Sequence, residues 1–524
     1  MTGHLVFCVM TASIGSLQFG YNTAINSIFF VKLDSFLLRT SLERYGQPMD
    51  ESTVTTVRSL AITIFHAGGI IGALSVGALV NKFGRRKSML LSNVLALIGG
   101  GLMGLSGVSR SYEMLILGHF IIGVFCGLCT GLTPMYVAEI APTALRGAFG
   151  TLHQFGSLLG MLIAKILLFK EVLISKNKSE GDEDDSYLWP LLPCLTVLPS
   201  VMQIIMLLFC SESPRYLLIN LQQEEKARMA LVGLHGNDCI EDDIQEMKEE
   251  ANRVAMEKKV SILQLFRNPI YRRPIIITII MNLSQQFSGI QAVAYFSWLI
   301  YERACITKSE VFITQEAVYI IFILCSLILV DFAGRRKLHL TGLGGMAICL
   351  LVIIISVQLF EGDYMCQQHA VNLPGVLEVT PKSNPLVVTV ATVAVFTFLA
   401  MFVIGPGPIP WFIATELFAQ GARPAAVSVS GCSNWTANLL MLLCLPSLLN
   451  SCGSYVLIIF LVLLVLFFLF TYFWVPETKG RTFEDISSEF AGKAATSSNQ
   501  SSQREDVANV SVSSPKETVA MVEF

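Results

Sequence analysis

Apolar runs long enough to cross a bilayer recur twelve times along this chain, and that recurrence confines it to a narrow set of folds. They cover approximately residues 5–29, 58–80, 88–107, 112–136, 149–169, 188–209, 274–299, 311–331, 338–360, 385–411, 427–448 and 453–475. In lipid the backbone must satisfy its own hydrogen bonds, so each run predicts a helix and the chain an all-α membrane protein. Only 14% of its residues are charged and its mean hydropathy is +0.61, whereas soluble domains carry about 25% charged residues. The net charge of −3, without a long basic run, gives no sign of a nucleic-acid partner. Thirteen cysteines lie mostly in the apolar runs without metal-ligand spacing, so they read as small buried hydrophobes and neither a metal nor a cofactor is expected. Gly20, Tyr21 and Asn22 interrupt the first run and no small-residue cleavage site follows it, so it reads as a span and not a signal peptide.

The links set the orientation. Asn81–Lys87 and Gly334–Lys337 are strongly basic, whereas link 170–187 ends in the acidic run Glu180–Asp185. Basic links inside and the acidic link outside predict a multi-pass protein with both termini cytosolic. The one large polar insert, 210–272, carries charges with apolar residues at helical spacing over Glu241–Lys259, which predicts short amphipathic helices. The resulting division is an N-terminal six-helix half at 1–209, a linker at 210–272, a C-terminal six-helix half at 273–475 and a Ser-rich tail at 476–524, largely disordered by composition. The sequon at Asn177 lies in the external link and is a glycosylation candidate. Those at Asn282 and Asn434 fall inside spans, out of reach of the modifying enzyme.

Within the tenth run stands Ile404-Gly405-Pro406-Gly407-Pro408-Ile409-Pro410-Trp411. Three prolines and two glycines cannot continue an ordinary helix. Such a break survives in a membrane where it is buried in protein or lines a watery cavity, as in the substrate sites of many transporters. The two halves also repeat. Gly84-Arg85-Arg86-Lys87 recurs as Gly334-Arg335-Arg336-Lys337, and Glu139 with Arg146 recurs 277 positions later as Glu416 with Arg423. Glu212-Ser213-Pro214-Arg215 has a looser echo in Pro476–Arg481. Two six-span halves joined by an insert is the layout of parallel-repeat secondary transporters, whose substrate sits between the halves.

These repeated signatures resemble the major facilitator superfamily, in particular its sugar-porter branch. Pro134–Val137 through Pro142–Ala148, Gln285-Gln286-Phe287-Ser288-Gly289-Ile290, the 405–426 segment and Pro476–Phe483 are similar to the facilitative glucose transporters, nearest to class I members and above all the neuronal type. The resemblance implies a major facilitator fold of twelve transmembrane helices and facilitative uniport of a hexose, most simply D-glucose, across the plasma membrane by alternating access. It implies no enzymatic activity and no cofactor. Its partners would be the sugar and the lipid bilayer.

A hexose must exchange its water for neutral donors and acceptors, which Asn and Gln supply without placing a net charge in the membrane, while an aromatic face supports the ring. Gln154, Gln285, Gln286, Asn438 and Trp411 meet this need and coincide with sugar-contacting positions of the family. Gln291 stands where the family motif has Asn. Tyr319 and Val403 replace an Asn and a Glu of class I, and Lys165 a Gln. The resemblance further implies an inter-helix salt-bridge network of Arg85, Arg86, Glu139, Arg146, Glu212, Arg215, Asp331, Arg335, Arg336, Glu416 and Arg423, able to latch the halves together and release them. Proton-coupled sugar porters of this fold carry an Asp in span one. Here Asn22 stands in Gln18-Phe19-Gly20-Tyr21-Asn22, which favours uniport. His4, His66 and His153 read as packing or hydrogen-bonding residues. Two other readings stay open: an altered-specificity or proton-coupled sugar or polyol transporter, and a non-transporting sugar sensor.

Overall fold

A computed structural model describes residues 2–176, 191–236, 240–256, 260–303, 308–371, 384–481, 485–486 and 488–490. Asn177 and the tail beyond 490 lie outside the described residues. The N-terminal half is α1 (Gly3–Tyr45), α2 (Glu51–Phe83), α3 (Arg85–Val108), α4 (Tyr112–Ile140), α5 (Arg146–Lys176) and a sixth span made of α6 (Leu191–Cys194) and α7 (Val197–Leu207). The insert folds as α8 (Glu224–His235), α9 (Ile240–Met256) and α10 (Ile262–Arg267). The C-terminal half opens with a split span, α11 (Pro269–Gln286) and α12 (Ile290–Arg303), followed by α13 (Lys308–Ala333) and α14 (Arg335–Val371). A second split span, α15 (Pro385–Ile404) and α16 (Ile409–Leu417), precedes α17 (Arg423–Cys452) and α18 (Val456–Trp474).

By length and apolarity alone, eight helical stretches among the described residues could cross a membrane, the last of them, Arg423–Trp474, being α17 and α18 together. The spans that miss this measure are α5, the α6–α7 pair and the α11–α12 pair. The reason is physical. The α11–α12 span is interrupted, α6–α7 is short, and α5 carries the polar stripe Gln154, Ser157 and Lys165. On the outer surface Ile328, Ile348 and Phe473 are exposed, as lipid contact requires.

Two contacts join the halves lengthwise: α2 packs on α17 and α5 on α13. In the first, Trp435 lies over Gly69 and donates from Nε1 to Thr130 Oγ1 at 3.2 Å, while Ser428 Oγ accepts from Gly77 N at 2.8 Å. Within the N-terminal half α1 and α5 approach closely. A Cβ on Gly160 would lie 1.9 Å from the Leu17 carbonyl oxygen, and one on Gly20 would lie 1.8 Å from that of Ser157. Gly160→Ala is therefore expected to push α1 and α5 apart and to reduce sharply the monodisperse yield on size-exclusion chromatography in detergent. Gly101→Ala, where an added Cβ meets nothing within 4 Å, should leave that yield unchanged.

In the insert, Ala227 and Leu231 of α8 bury against Ile244 and Met247 of α9, so the amphipathic pattern of this segment is spent on a small core of its own.

Candidate functional site: an amide-lined cavity above a charged latch

The repeated basic signatures lie at one end of the bundle, and their geometry explains the repeat. Gly84 and Gly334 turn the chain at φ +84° and +94°, a conformation that disfavours a side chain. Each turn presents the N-terminus of the next helix to a carboxylate: Glu212 accepts from the backbone N–H groups of Arg85 and Arg86, and Glu477 from those of Arg335 and Arg336. The loose echo between Glu212–Arg215 and Pro476–Arg481 is thus one capping device used twice. Arg85 pairs with Glu139 at 2.8 Å and Arg335 with Glu416 at 2.8 Å, all four side chains buried. Arg86 and Arg336 point their guanidinium groups at carbonyl oxygens, of Leu207 and Leu208 and of Tyr472, and so cap the C-terminal ends of α7 and α18 where the resemblance implies ion pairs.

Two contacts at this end cross between the halves, and a third ties the insert to the C-terminal half. Arg423 reaches Glu139 at 3.5 Å. Asp331, which also pairs with Arg335, accepts from Gly147 N at 3.2 Å and Ala148 N at 2.8 Å, placing its charge on the N-terminus of α5. Glu250 of the insert takes the backbone N–H of Gln420 at 2.8 Å and the guanidinium of Arg215. Burial pushes the Glu250 carboxyl up, but the charges of Arg215 and Arg423, with the hydrogen bonds from Gln420 and Arg215, together outweigh it and hold the group below its ordinary value. Arg146 bonds Thr143 and lies in the field of Glu416, the mirror of the Arg423–Glu139 pair. With these contacts made, the bundle is closed at its basic end.

His235 fastens the insert to the same end, with Nε2 2.9 Å from the Ile140 carbonyl oxygen and Nδ1 3.3 Å from Asp243. The hydrogen bond to Asp243 raises its pKa, burial opposing. A raised value in the folded state means that protonation stabilises this docking. The contribution is complete below the ordinary imidazole value of about 6.5 and is lost as pH rises through the folded value. Hydrogen exchange in α8 and α9 should accordingly be faster in His235→Leu than in the parent at pH 5.5. Above the folded value the gap should narrow to what the Ile140 hydrogen bond and packing contribute, and a difference independent of pH would contradict this linkage.

Away from this end, between the halves, lies a cavity of about 250 Å³. Its wall comes from α1 (Phe19, Thr23), α5 (Gln154, Ser157, Met161, Lys165), α11 (Gln285, Gln286), α12 (Ile290), α13 (Glu316, Tyr319) and the split span (Phe402, Trp411). The Pro-Gly segment makes the wall possible. α15 stops at Ile404, and the carbonyls freed by the break find partners: Gly407 O accepts from Gln285 Nε2 at 2.5 Å and Ile404 O from Ser326 Oγ at 2.9 Å. Beyond the break α16 starts and carries Trp411 into the cavity, edge-on to Phe19 at 5.8 Å and to His153 at 5.2 Å between ring centroids. The second break, at Phe287–Gly289 with Gly289 at φ +84°, lies inside a run that the sequence reads as one span, 274–299. It ends α11 directly after Gln285 and Gln286.

Of the residues singled out from sequence, Gln154, Gln285, Gln286 and Trp411 meet in this cavity, whereas Gln291 and Asn438 are half-buried outside its lining. Asn438 faces His66 across the α2–α17 contact. Tyr319 lines the cavity. Val403 is fully buried against Leu158 and Ile323, so its apolar side chain completes a packing contact. Asn434 was legible only as an unreachable sequon, yet it organises the amides: it donates to Gln285 Oε1 at 2.6 Å and accepts from Gln286 Nε2 at 3.0 Å. Asn282 joins the same network by accepting from Asn434 Nδ2 at 3.3 Å, and donates its own amide to Ser430 Oγ at 2.8 Å. Asn22 spends its amide on Gln18 O and Thr196 Oγ1, within the N-terminal half. Neutral amides, an indole face and a closed basic end suit an uncharged ligand rich in hydroxyl groups. Among the described residues no cluster of His, Cys, Asp and Glu has the arrangement of a metal site.

Residues 8–490 match the profile of the family described as "Sugar (and other) transporter". Over 500 residues the chain is 49% identical to the solute carrier family 2, facilitated glucose transporter member 3 of Gallus gallus, covering 95% of this chain and 94% of that protein. Its similarity to member 1 of the same species is 48% over 502 residues, covering 95% and 96%. Among solved structures, the proton:xylose symporter XylE bound to 6-bromo-6-deoxy-D-glucose superposes with a TM-score of 0.74 at 22% identity, covering 93% of this chain and 99% of that one. Against the inward-open conformation of XylE from E. coli, at 24% identity and covering 92% and 98%, the TM-score is 0.62.

Proposed function

The chain belongs to the sugar transporter family, and from that premise we propose that it carries a hexose, D-glucose first, across the plasma membrane by alternating access as a uniporter. The single observation that carries this reading is the meeting of Gln154, Gln285, Gln286 and Trp411 in one cavity between the two halves, beside the broken tenth span. The sugar would lie against the indole of Trp411, with its hydroxyl groups exchanging water for the amides. The boundaries 1–209, 210–272, 273–475 and 476–524 belong to this reading, the two halves being the bodies that rock.

The basic end is cytosolic by the positive-inside rule, which puts both termini in the cytosol. With Arg423–Glu139 and the Asp331 contacts made there, the conformation described is closed at the end that this reading places in the cytosol. Opening inward would require these cross-half contacts to part. Asn22, already satisfied by Gln18 and Thr196, offers no titratable group in span one, which supports uniport over proton coupling.

The test is uptake into proteoliposomes holding the purified protein. Saturable D-glucose uptake, competed by excess D-glucose and not by L-glucose, is the expected result. Absence of D-glucose flux from protein shown to be folded would overturn the proposal and favour the sensor reading.

A further inference from the structure

Two charged side chains stand in the cavity wall, and they belong to opposite halves. Lys165 of α5 forms an ion pair with Glu316 of α13, although the two lie 151 positions apart in sequence. Glu316 is nearly enclosed, its side chain 5% exposed, while Lys165 is 34% exposed. Both line the cavity together with Tyr319, which lies one turn further along α13. Lys165 continues the stripe of α5 that begins at Gln154 and passes Ser157, Leu158 and Met161. Eleven residues of helix separate the two ends of that stripe, which puts the ion pair about 16 Å further from the basic end than Gln154. On the topology argued above, that is the external mouth of the cavity.

An ammonium group has three donors, and one of those on Lys165 is taken by Glu316. A carboxylate has two oxygens and about four acceptor sites. The pair is neutral as a unit, so it neither attracts nor repels an uncharged ligand by net charge, yet it offers charge-assisted donors beside charge-assisted acceptors. Neighbouring hydroxyls of a sugar can each accept from one and donate to the other.

We propose that Lys165 and Glu316 form an outer subsite that selects for adjacent hydroxyl groups on the incoming sugar, ahead of the amide cluster at Gln285 and Gln286. This rests on the reading of the cavity as the sugar's path. It predicts a dependence of selectivity on the pair that a purely structural tie between α5 and α13 would not produce.

The experiment compares D-glucose with its set of monodeoxy analogues, as competitors of labelled D-glucose uptake. The proteins are the parent, Glu316→Gln, the neutral double variant Lys165→Gln/Glu316→Gln and the swap Lys165→Glu/Glu316→Lys, each normalised to surface expression. In the parent at least one analogue should compete on the order of tenfold more weakly than D-glucose, and in the double variant that gap should close to within about twofold. The double variant leaves no charge unpaired and is the form expected to fold. The swap, which restores the pair with its donors and acceptors exchanged, should change which analogue is penalised. If every variant keeps the parent's order and spacing of analogues while overall flux falls in parallel, the pair is only a tie between helices and the subsite is refuted. A parent that moves no D-glucose, or a Trp411→Leu variant that moves it undiminished, would instead refute the sugar path itself.

Discussion

Replacing Trp411 by leucine, or Gln286 by leucine, is expected to cut D-glucose flux by at least on the order of tenfold while surface expression stays near that of the parent. Trp411 is held edge-on by Phe19 and His153 and is the largest ring in the cavity wall. Leucine at that position keeps apolar volume but removes the flat face on which a pyranose ring rests, a loss of about 0.5–1.5 kcal/mol in ring contacts alone. Gln286 donates to Gln285 and Asn434, so leucine there removes a sugar-facing amide and takes the donor from Asn434 Oδ1, while Gln285 Oε1 keeps that of Asn434. A buried acceptor left unmet costs about 1–3 kcal/mol. Uptake per surface-exposed molecule is the measurement. Unchanged uptake in both variants would remove Trp411 and Gln286 from the site.

The second large effect is expected at Glu139. Its carboxylate serves Arg85 within the N-terminal half, Arg423 across the divide and the hydroxyl of Ser213. Both guanidinium side chains are fully buried. Glu139→Ala leaves two cations without this partner in a dry environment, where breaking one such pair costs about 3–5 kcal/mol. In the proposed alternating-access cycle the Arg423 contact parts when the basic end opens, so the cost would fall mainly on the closed conformation. The variant should melt earlier in detergent. A cysteine placed at Thr143, which borders the cleft beside Glu139, should also react faster with a membrane-impermeant thiol reagent applied to the cytosolic face. A parent-like melting curve together with parent-like labelling would show that this pair latches nothing.

How much of this was legible in the sequence depended on whether the cause was local. The break in the tenth span could be read directly, since three prolines remove donors and clash within one turn. The break at Gly289 could not, because a single glycine in an apolar run is compatible with an intact helix. What ends α11 there is the left-handed turn at Gly289, packed against Phe460 from α18. The repeated Gly-Arg-Arg motif was visible as a pattern, but its meaning depended on carboxylates more than 120 positions away, Glu212 and Glu477, which cap the helices that the motif begins. Lys165 stood out as a charge in a membrane span, while its partner Glu316 lay on a different helix of the other half. Asn434 showed the same limitation in reverse. Its role lies in binding Gln285 and Gln286 together, and nothing in its own neighbourhood of sequence indicates this.

Val403 shows why a substitution read from resemblance alone can mislead. In sequence it removes a polar group from the surroundings expected for the sugar. In the fold it is buried beside Leu158 and Ile323, where α5, α13 and α15 meet, so its effect falls on the packing between the halves and not on the cavity surface.

The central claim is that the cavity carries a hexose down its gradient without a coupled ion, and it is tested most directly by the steady-state distribution of the sugar. Proteoliposomes would be loaded with labelled D-glucose at equal concentration on both sides, and a pH gradient then imposed in either direction. A uniporter has no means of converting that gradient into a sugar gradient, so the inside-to-outside ratio should stay at one while tracer exchange remains rapid. Accumulation driven by the pH gradient, reversed when the gradient is reversed and lost in Trp411→Leu, would contradict the account and identify a proton-coupled carrier.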